Sequence, residues 1–120
     1  MVLAKQIIES MEQWAPPHYA ESWDNVGLMV GSKQRDVSKI ITTLDITPEA
    51  IEYAIVEQAQ MIISHHPFIF KGLKSLYLDS PQGTLIEKLI KNDIVVYSAH
   101  TNLDITIGGL NDMLANRLGL

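Results

Sequence analysis

The 120 residues contain no cysteine, so neither disulfides nor thiolate chemistry is available, a composition that fits a reducing compartment. Aromatic residues are few, at 7%. No basic stripe interrupts a chain of net charge −5 (nine basic and fourteen acidic residues), which argues against a nucleic-acid partner. No apolar run approaches the ~18 residues of a membrane span. The N-terminus acquires charge at Lys5, too early for the apolar core of a signal peptide, so a cytoplasmic, soluble protein without a membrane partner is expected. There is no internal repeat, no low-complexity tract, and neither a Walker-type nor a Gly-x-Gly-x-x-Gly phosphate loop. What remains is a globular composition, 47% hydrophobic and 19% charged, of a length suited to one ordinary domain.

Met61-Ile-Ile-Ser-His-His-Pro67 organises the rest. Met61, Ile62 and Ile63 have the length and branching of a buried parallel strand. Pro67 cannot donate to a sheet ladder, so the strand must end before it, leaving His65 and His66 where a strand runs out. Upstream, Leu3, Ile7, Ile8, Met11 and Trp14 recur at helical spacing, predicting a packing helix over 3–14 with Met11 and Trp14 in the core, stopped at Pro16-Pro17. Trp23-Asp24-Asn25 before Gly27 reads as a turn with Trp23 plugging the core, followed by a short strand over 28–30. A β-branched run over 39–44 predicts a strand, and Thr47 followed by Pro48 predicts a helix start whose apolar face is Ala50, Ile51, Ala54, Ile55 and Ala59. Residues 68–78 read as a loop. A helix from Ser80 to Lys91 with Leu85, Ile86, Leu89 and Ile90 inward, a strand over 94–98 and a final helix over 110–118 complete the chain. Strand, helix, strand with short connections is a right-handed unit of parallel sheet, so the fold expected is α/β: an open, mainly parallel sheet with helices on both faces, in one lobe covering 1–120.

Parallel strands align their carboxyl ends, and ligands bind in the crevice outside them. The first strand delivers Asp45 there, the second His65 and His66, the third His100 and Asp104. Imidazole and carboxylate suit zinc, iron, manganese, cobalt or nickel, and ligand type alone does not choose among these divalent ions. Neighbouring side chains of an extended strand point to opposite sides, so one ion would not take both His65 and His66 without a local bend; two ions sharing a bridging carboxylate such as Asp104 would also resolve the conflict. His100 would be a ligand, or would orient one. Asp45 precedes a helix start and is explained by the helix dipole alone, while Lys71 and Lys74 read as solvated loop charges rather than a phosphate site.

Three blocks, Trp23 to Gly31, Ile62 to Lys71 and Val96 to Asp104, together with Gly108-Gly-Leu-Asn-Asp112 and the Leu118-Gly-Leu120 end, resemble the Nif-three-like family, whose members are labelled GTP cyclohydrolase 1 type 2 homologues. The resemblance spans essentially the whole chain. It implies a dinuclear metal site between two similar α/β lobes, a toroidal homohexamer, and His65, His66 and Asp104 on the metal ligands, with His100 at the site as a ligand or proton-transfer group. It also implies a His-x-x-x-Glu motif in a second lobe, yet no His or Glu follows Asp104. The expectation is therefore the N-terminal lobe of a longer protein. Its function is expected to be metal-dependent hydrolysis of an unidentified small-molecule substrate, phosphorylated or nucleotide-like, with a non-enzymatic metal carrier or regulatory interaction protein as the alternative.

Overall fold

The computed structural model describes residues 1–120. In chain order the elements are β1 (Val2–Leu3), α1 (Ala4–Trp14), β2 (Gly27–Val30), β3 (Asp36–Val37), β4 (Ile40–Thr43), α2 (Pro48–Val56), β5 (Met61–Ser64), α3 (Pro81–Lys91), β6 (Val95–Ser98), α4 (Thr101–Ile105) and α5 (Leu110–Arg117), with a 3-10 turn at Pro17–Tyr19. The main sheet has the order β2-β6-β5-β4. β4, β5 and β6 are parallel, in register as Ile41, Ile62 and Val96, and β2 closes one edge antiparallel to β6. β1 and β3 form a separate antiparallel pair, too short to leave a pattern in the sequence.

Strand alternation divides the core in two. Ile62 and Val96 face Ile51 and Ala54 of α2 and Leu89 of α3, while Met61, Val95 and Tyr97 face Ala4 and Ile8 of α1. Helices therefore cover both faces, and the expected α/β lobe is what forms. Both crossover helices start where side-chain oxygens accept backbone N–H groups: Thr47 from Ala50 at 3.1 Å, and Ser80 from Gly83 at 2.9 Å, each with proline next.

Three core expectations do not hold. Trp23 does not plug the core; it is 61% exposed, because the turn that carries it lies beyond the sheet rim. Trp14 is 40% exposed at the end of α1, where it walls an open cavity over Thr43 and Ile63 instead of filling it. Ile90 is on the outer side of α3, and Leu89 and Ile86 fill the interior instead.

Candidate metal centre

β5 stops at Ser64, and the chain bends at His65 and His66. Their backbone N–H groups donate to Thr43 and Leu44 carbonyls at 3.2 and 2.9 Å, pinning the bend to the end of β4. The bend defeats the alternation that would have sent the two side chains apart. The rings lie 5.7 Å apart, centroid to centroid. Beneath them a hydroxyl relay fixes the backbone. The Ser64 hydroxyl donates to the His66 carbonyl at 2.9 Å, which leaves Ser98 to donate to Ser64 at 2.8 Å, and both serines are fully buried.

β6 hands on to His100, the residue before the first turn of α4, and Asp104 follows one turn later. The His100 ring lies 5.2 Å from His65 and 5.7 Å from His66, so the three imidazoles form a near-equilateral cluster at the carboxyl rim of the sheet. Each has its Nδ1 occupied by an oxygen: His65 by the Ala99 carbonyl at 2.8 Å, His66 by Asp45 Oδ1 at 2.7 Å, and His100 by both Asp24 oxygens at 3.0 and 3.1 Å. A carbonyl or carboxylate oxygen only accepts, so all three Nδ1 atoms carry a proton, and a ring in its neutral form presents Nε2 as a lone pair. Tying off one ring nitrogen to present the other is how ligating histidines are held.

Asp104 Oδ1 lies 3.3 Å from His65 Nε2. With the proton on Nδ1, that distance separates two electron-pair acceptors, which repel unless a cation, a proton or a metal ion, lies between them. The donor set thus fits a divalent ion. No three His, Asp or Glu side chains are gathered tightly enough to hold one ion by themselves, so a bound ion would need further ligands from outside this cluster. Beside His65 a cavity of about 250 Å³ opens, lined by Met11, Trp14, Thr43, Ile63 and Leu103.

His65, His66, His100, Asp104 and Asp45 are all brought together at this rim. Two aspartates do more than their local sequence implies. The dipole of α2 would account for Asp45, yet its carboxylate holds His66. Turn chemistry would account for Asp24, yet its fully buried side chain also receives the Thr101 hydroxyl at 2.6 Å, the Thr101 N–H at 3.2 Å and the Asn25 N–H at 2.9 Å. Burial alone would raise the Asp24 carboxyl, but the bonds from Thr101, His100 and Asn25 outweigh it and hold it below its ordinary value of 3.8. Lys71 and Lys74 are exposed in the loop after β5 and form no ion pair, as solvated charges should.

The fold and rim define an α/β lobe with a histidine-carboxylate cluster at the carboxyl edge of its parallel strands. Residues 2–120 match the Duf34/NIF3 (NGG1p interacting factor 3) family, and the chain belongs to it. It is 45% identical to a GTP cyclohydrolase 1 type 2 homolog of Bacillus subtilis, over 99% of this chain and 32% of that one, and 46% identical to a homolog of Clostridium perfringens over 94% and 43%. Among solved structures, a Bacillus cereus protein related to NIF3 superposes with a TM-score of 0.92 at 44% identity, covering 99% of this chain and 33% of that one. Reduced HcgD from Methanocaldococcus jannaschii superposes at 0.91 with 37% identity, covering 99% and 48%. The chain thus spans about a third of the length of the Bacillus relatives. No helix is long and apolar enough to cross a membrane.

Proposed function

We propose that this chain forms one wall of a dinuclear metal centre and that the centre hydrolyses a small phosphorylated or nucleotide-like molecule. The observation that carries the reading is the set of three imidazoles, every one locked with Nδ1 protonated, facing one another beside Asp104. His65, His66 and Asp104 would hold the ions, with Asp104 the bridging candidate, and His100 would serve as a further ligand or move a proton at Nε2. Divalent ions at such a site lower the pKa of bound water and polarise the bond to be broken. The chain's own contribution is rigidity: the Ser64–Ser98 relay fixes the His66 backbone, and Asp45 and the Ala99 carbonyl orient the rings. The cavity walled by Trp14, Ile63 and Leu103 would receive the apolar part of a substrate. Assembly into a homo-oligomer, a hexamer by family likeness, belongs to the same proposal.

A carrier reading is favoured by one feature. The His66 side chain is 48% exposed, which suits exchange of metal rather than retention.

The test is elemental analysis of the purified chain and of its His65→Ala/His66→Ala variant, followed by turnover of a phosphodiester and nucleotide panel by the metal-loaded full-length protein with and without the same substitutions. Bound metal that vanishes in the variant supports the centre, and turnover that vanishes with it supports the hydrolase. Metal passed readily to a chelator without turnover favours the carrier. No metal in either protein after reloading overturns a centre held by this chain.

A further inference from the structure

We propose that Asp24 is the positioning residue for His100: it sets that ring as the Nδ1–H tautomer and thereby presents Nε2 to the metal. The inference rests on the metal-centre reading for its consequence, but its structural half stands alone. Asp24 is distant in sequence, 76 residues before His100, and reaches it because the turn between the Pro17–Tyr19 segment and β2 folds over the start of α4. Of the two carboxylates that anchor the imidazole cluster, it is the one held more firmly. The Asp45 side chain that holds His66 is 54% exposed, so its bond competes with water. The Asp24 side chain has no exposed surface, and its two oxygens are surrounded by donors from Thr101, Asn25 and His100. A carboxylate bonded from several sides cannot rotate to release the ring. A buried, charge-assisted bond is also the stronger kind.

The surroundings of His100 keep its backbone in place as well. Its N–H donates to the Asn102 side chain at 2.9 Å, and Asn102, fully buried, donates in turn to the Ala15 carbonyl at 3.0 Å beyond the end of α1. Thr101 accepts the Glu21 N–H at 2.9 Å, so the segment before Asp24 is tied to the same helix start. His100 is therefore fixed through its backbone by Asn102 and through its ring by Asp24. Only the second contact selects a tautomer.

A simpler role competes with this one. Asp24 also receives the Thr101 N–H, so it acts as a remote cap for α4, and its loss would disturb the helix whatever the state of His100. The two roles separate in a double-mutant cycle. Zinc affinity is measured by chelator competition for the full chain and for Asp24→Asn, His100→Ala and the double variant. The tautomer of His100 is read in parallel by nitrogen-15 NMR of the zinc-free proteins at a pH where the ring is neutral.

Replacing the carboxylate by an amide removes the obligatory acceptor, a change that admits the wrong tautomer in Asp–His pairs. The wild-type chain is expected to show Nδ1–H at His100, and Asp24→Asn is expected to show Nε2–H. Zinc affinity should fall by about 10- to 100-fold in Asp24→Asn, the range for a lost ligand-orienting partner. In the His100→Ala background the same change should cost less than about twofold, because the effect travels through the missing ring. Thr101→Val removes the hydroxyl bond and leaves the ring bond, and should keep Nδ1–H.

An equal loss of affinity in both backgrounds, or an unchanged tautomer in Asp24→Asn, overturns the proposal and leaves Asp24 as a cap. Should Asp24→Asn not fold, the wild-type and Thr101→Val spectra decide, since Nε2–H in the wild type, or its appearance in Thr101→Val, refutes the assignment. Zinc binding by none of the proteins refutes the metal centre, while the tautomer measurements still decide the positioning of His100.

Discussion

A phenol inside the sheet and a hydroxyl pair beneath the histidines are the residues whose chemistry is most constrained by burial. Tyr97 is fully buried on β6, and burial, aided by the nearby Glu12 carboxylate 3.4 Å from its hydroxyl, pushes its ionisation far above the ordinary 10.0. The unfolded chain ionises first as pH rises, so the stability held below about pH 10 is lost above it. Tyr97→Phe should show a shallower alkaline loss of Tm than the wild type; an identical alkaline limb would mean that Tyr97 does not govern it. Ser64→Ala breaks the relay that ends on the His66 carbonyl and leaves the Ser98 hydroxyl without its acceptor. It should cost about 1–3 kcal/mol in urea unfolding and also weaken metal binding. A loss of stability without any loss of metal would detach the relay from the site. The histidines are legible in the sequence because an apolar run ending in His-His-Pro sets two imidazoles at the point where a strand must stop. Asp24 is not, since a turn accounts for it without any partner, and Asp45 is legible at the rim but not as the partner of His66, since a helix start already accounts for it.

Among the elements, α3 depends on a residue that helix propensity alone would advise replacing. A Cβ at Gly83 would sit 1.9 Å from the Tyr77 carbonyl oxygen and 2.8 Å from the Ser80 hydroxyl. Gly→Ala in a helix ordinarily gains up to ~1 kcal/mol, but here the sign should reverse, because the obstacle is backbone. Gly83→Ala is expected to lower Tm, and a raised Tm would show that the 68–80 loop yields freely. α5 is the opposite case. It buries no residue, whereas every residue of β6 is buried. Amide exchange should be fastest at α5 and slowest at β5 and β6, and comparable protection in all three would contradict that ranking. Strands, caps and helix starts are legible to within about a residue because their periodicity and punctuation are local, whereas α2 stops at Val56, short of the Ala59 that its apolar spacing would include. α4 leaves no such signal, being five residues long and ordered by Asp24 and Asn102 rather than by its own pattern.

Across the lobe as a whole, the sheet is covered unevenly. α1 packs on Met61, Val95 and Tyr97 but leaves Ile40, Thr42 and Leu44, along β4, exposed. β4 is also an edge strand with an unpaired ladder. Ile107 is 91% exposed and Leu114 52% in the segment from α4 to α5. Apolar surface next to a free edge favours association. The sedimentation coefficient of the 120-residue chain should rise with concentration, and Ile40→Lys/Leu44→Lys should suppress the rise. Association that persists unchanged in the double variant would place the contact elsewhere.

Hydrophobic period, proline and capping residues are enough to dictate the α/β class, the order of the main strands along the chain, and which three histidines and which two aspartates, Asp45 and Asp104, stand at their carboxyl ends. All of these signals are expressed within a few positions of one another. That His65 and His66 turn to one rim is a property of the folded molecule, because it depends on a bend pinned to the end of β4. Folding alone likewise made Asp24 and Asp45 partners of imidazoles. A hydrogen bond between residues 24 and 100 leaves no periodic trace in the chain, since its cause is the approach of two loops across the end of a sheet.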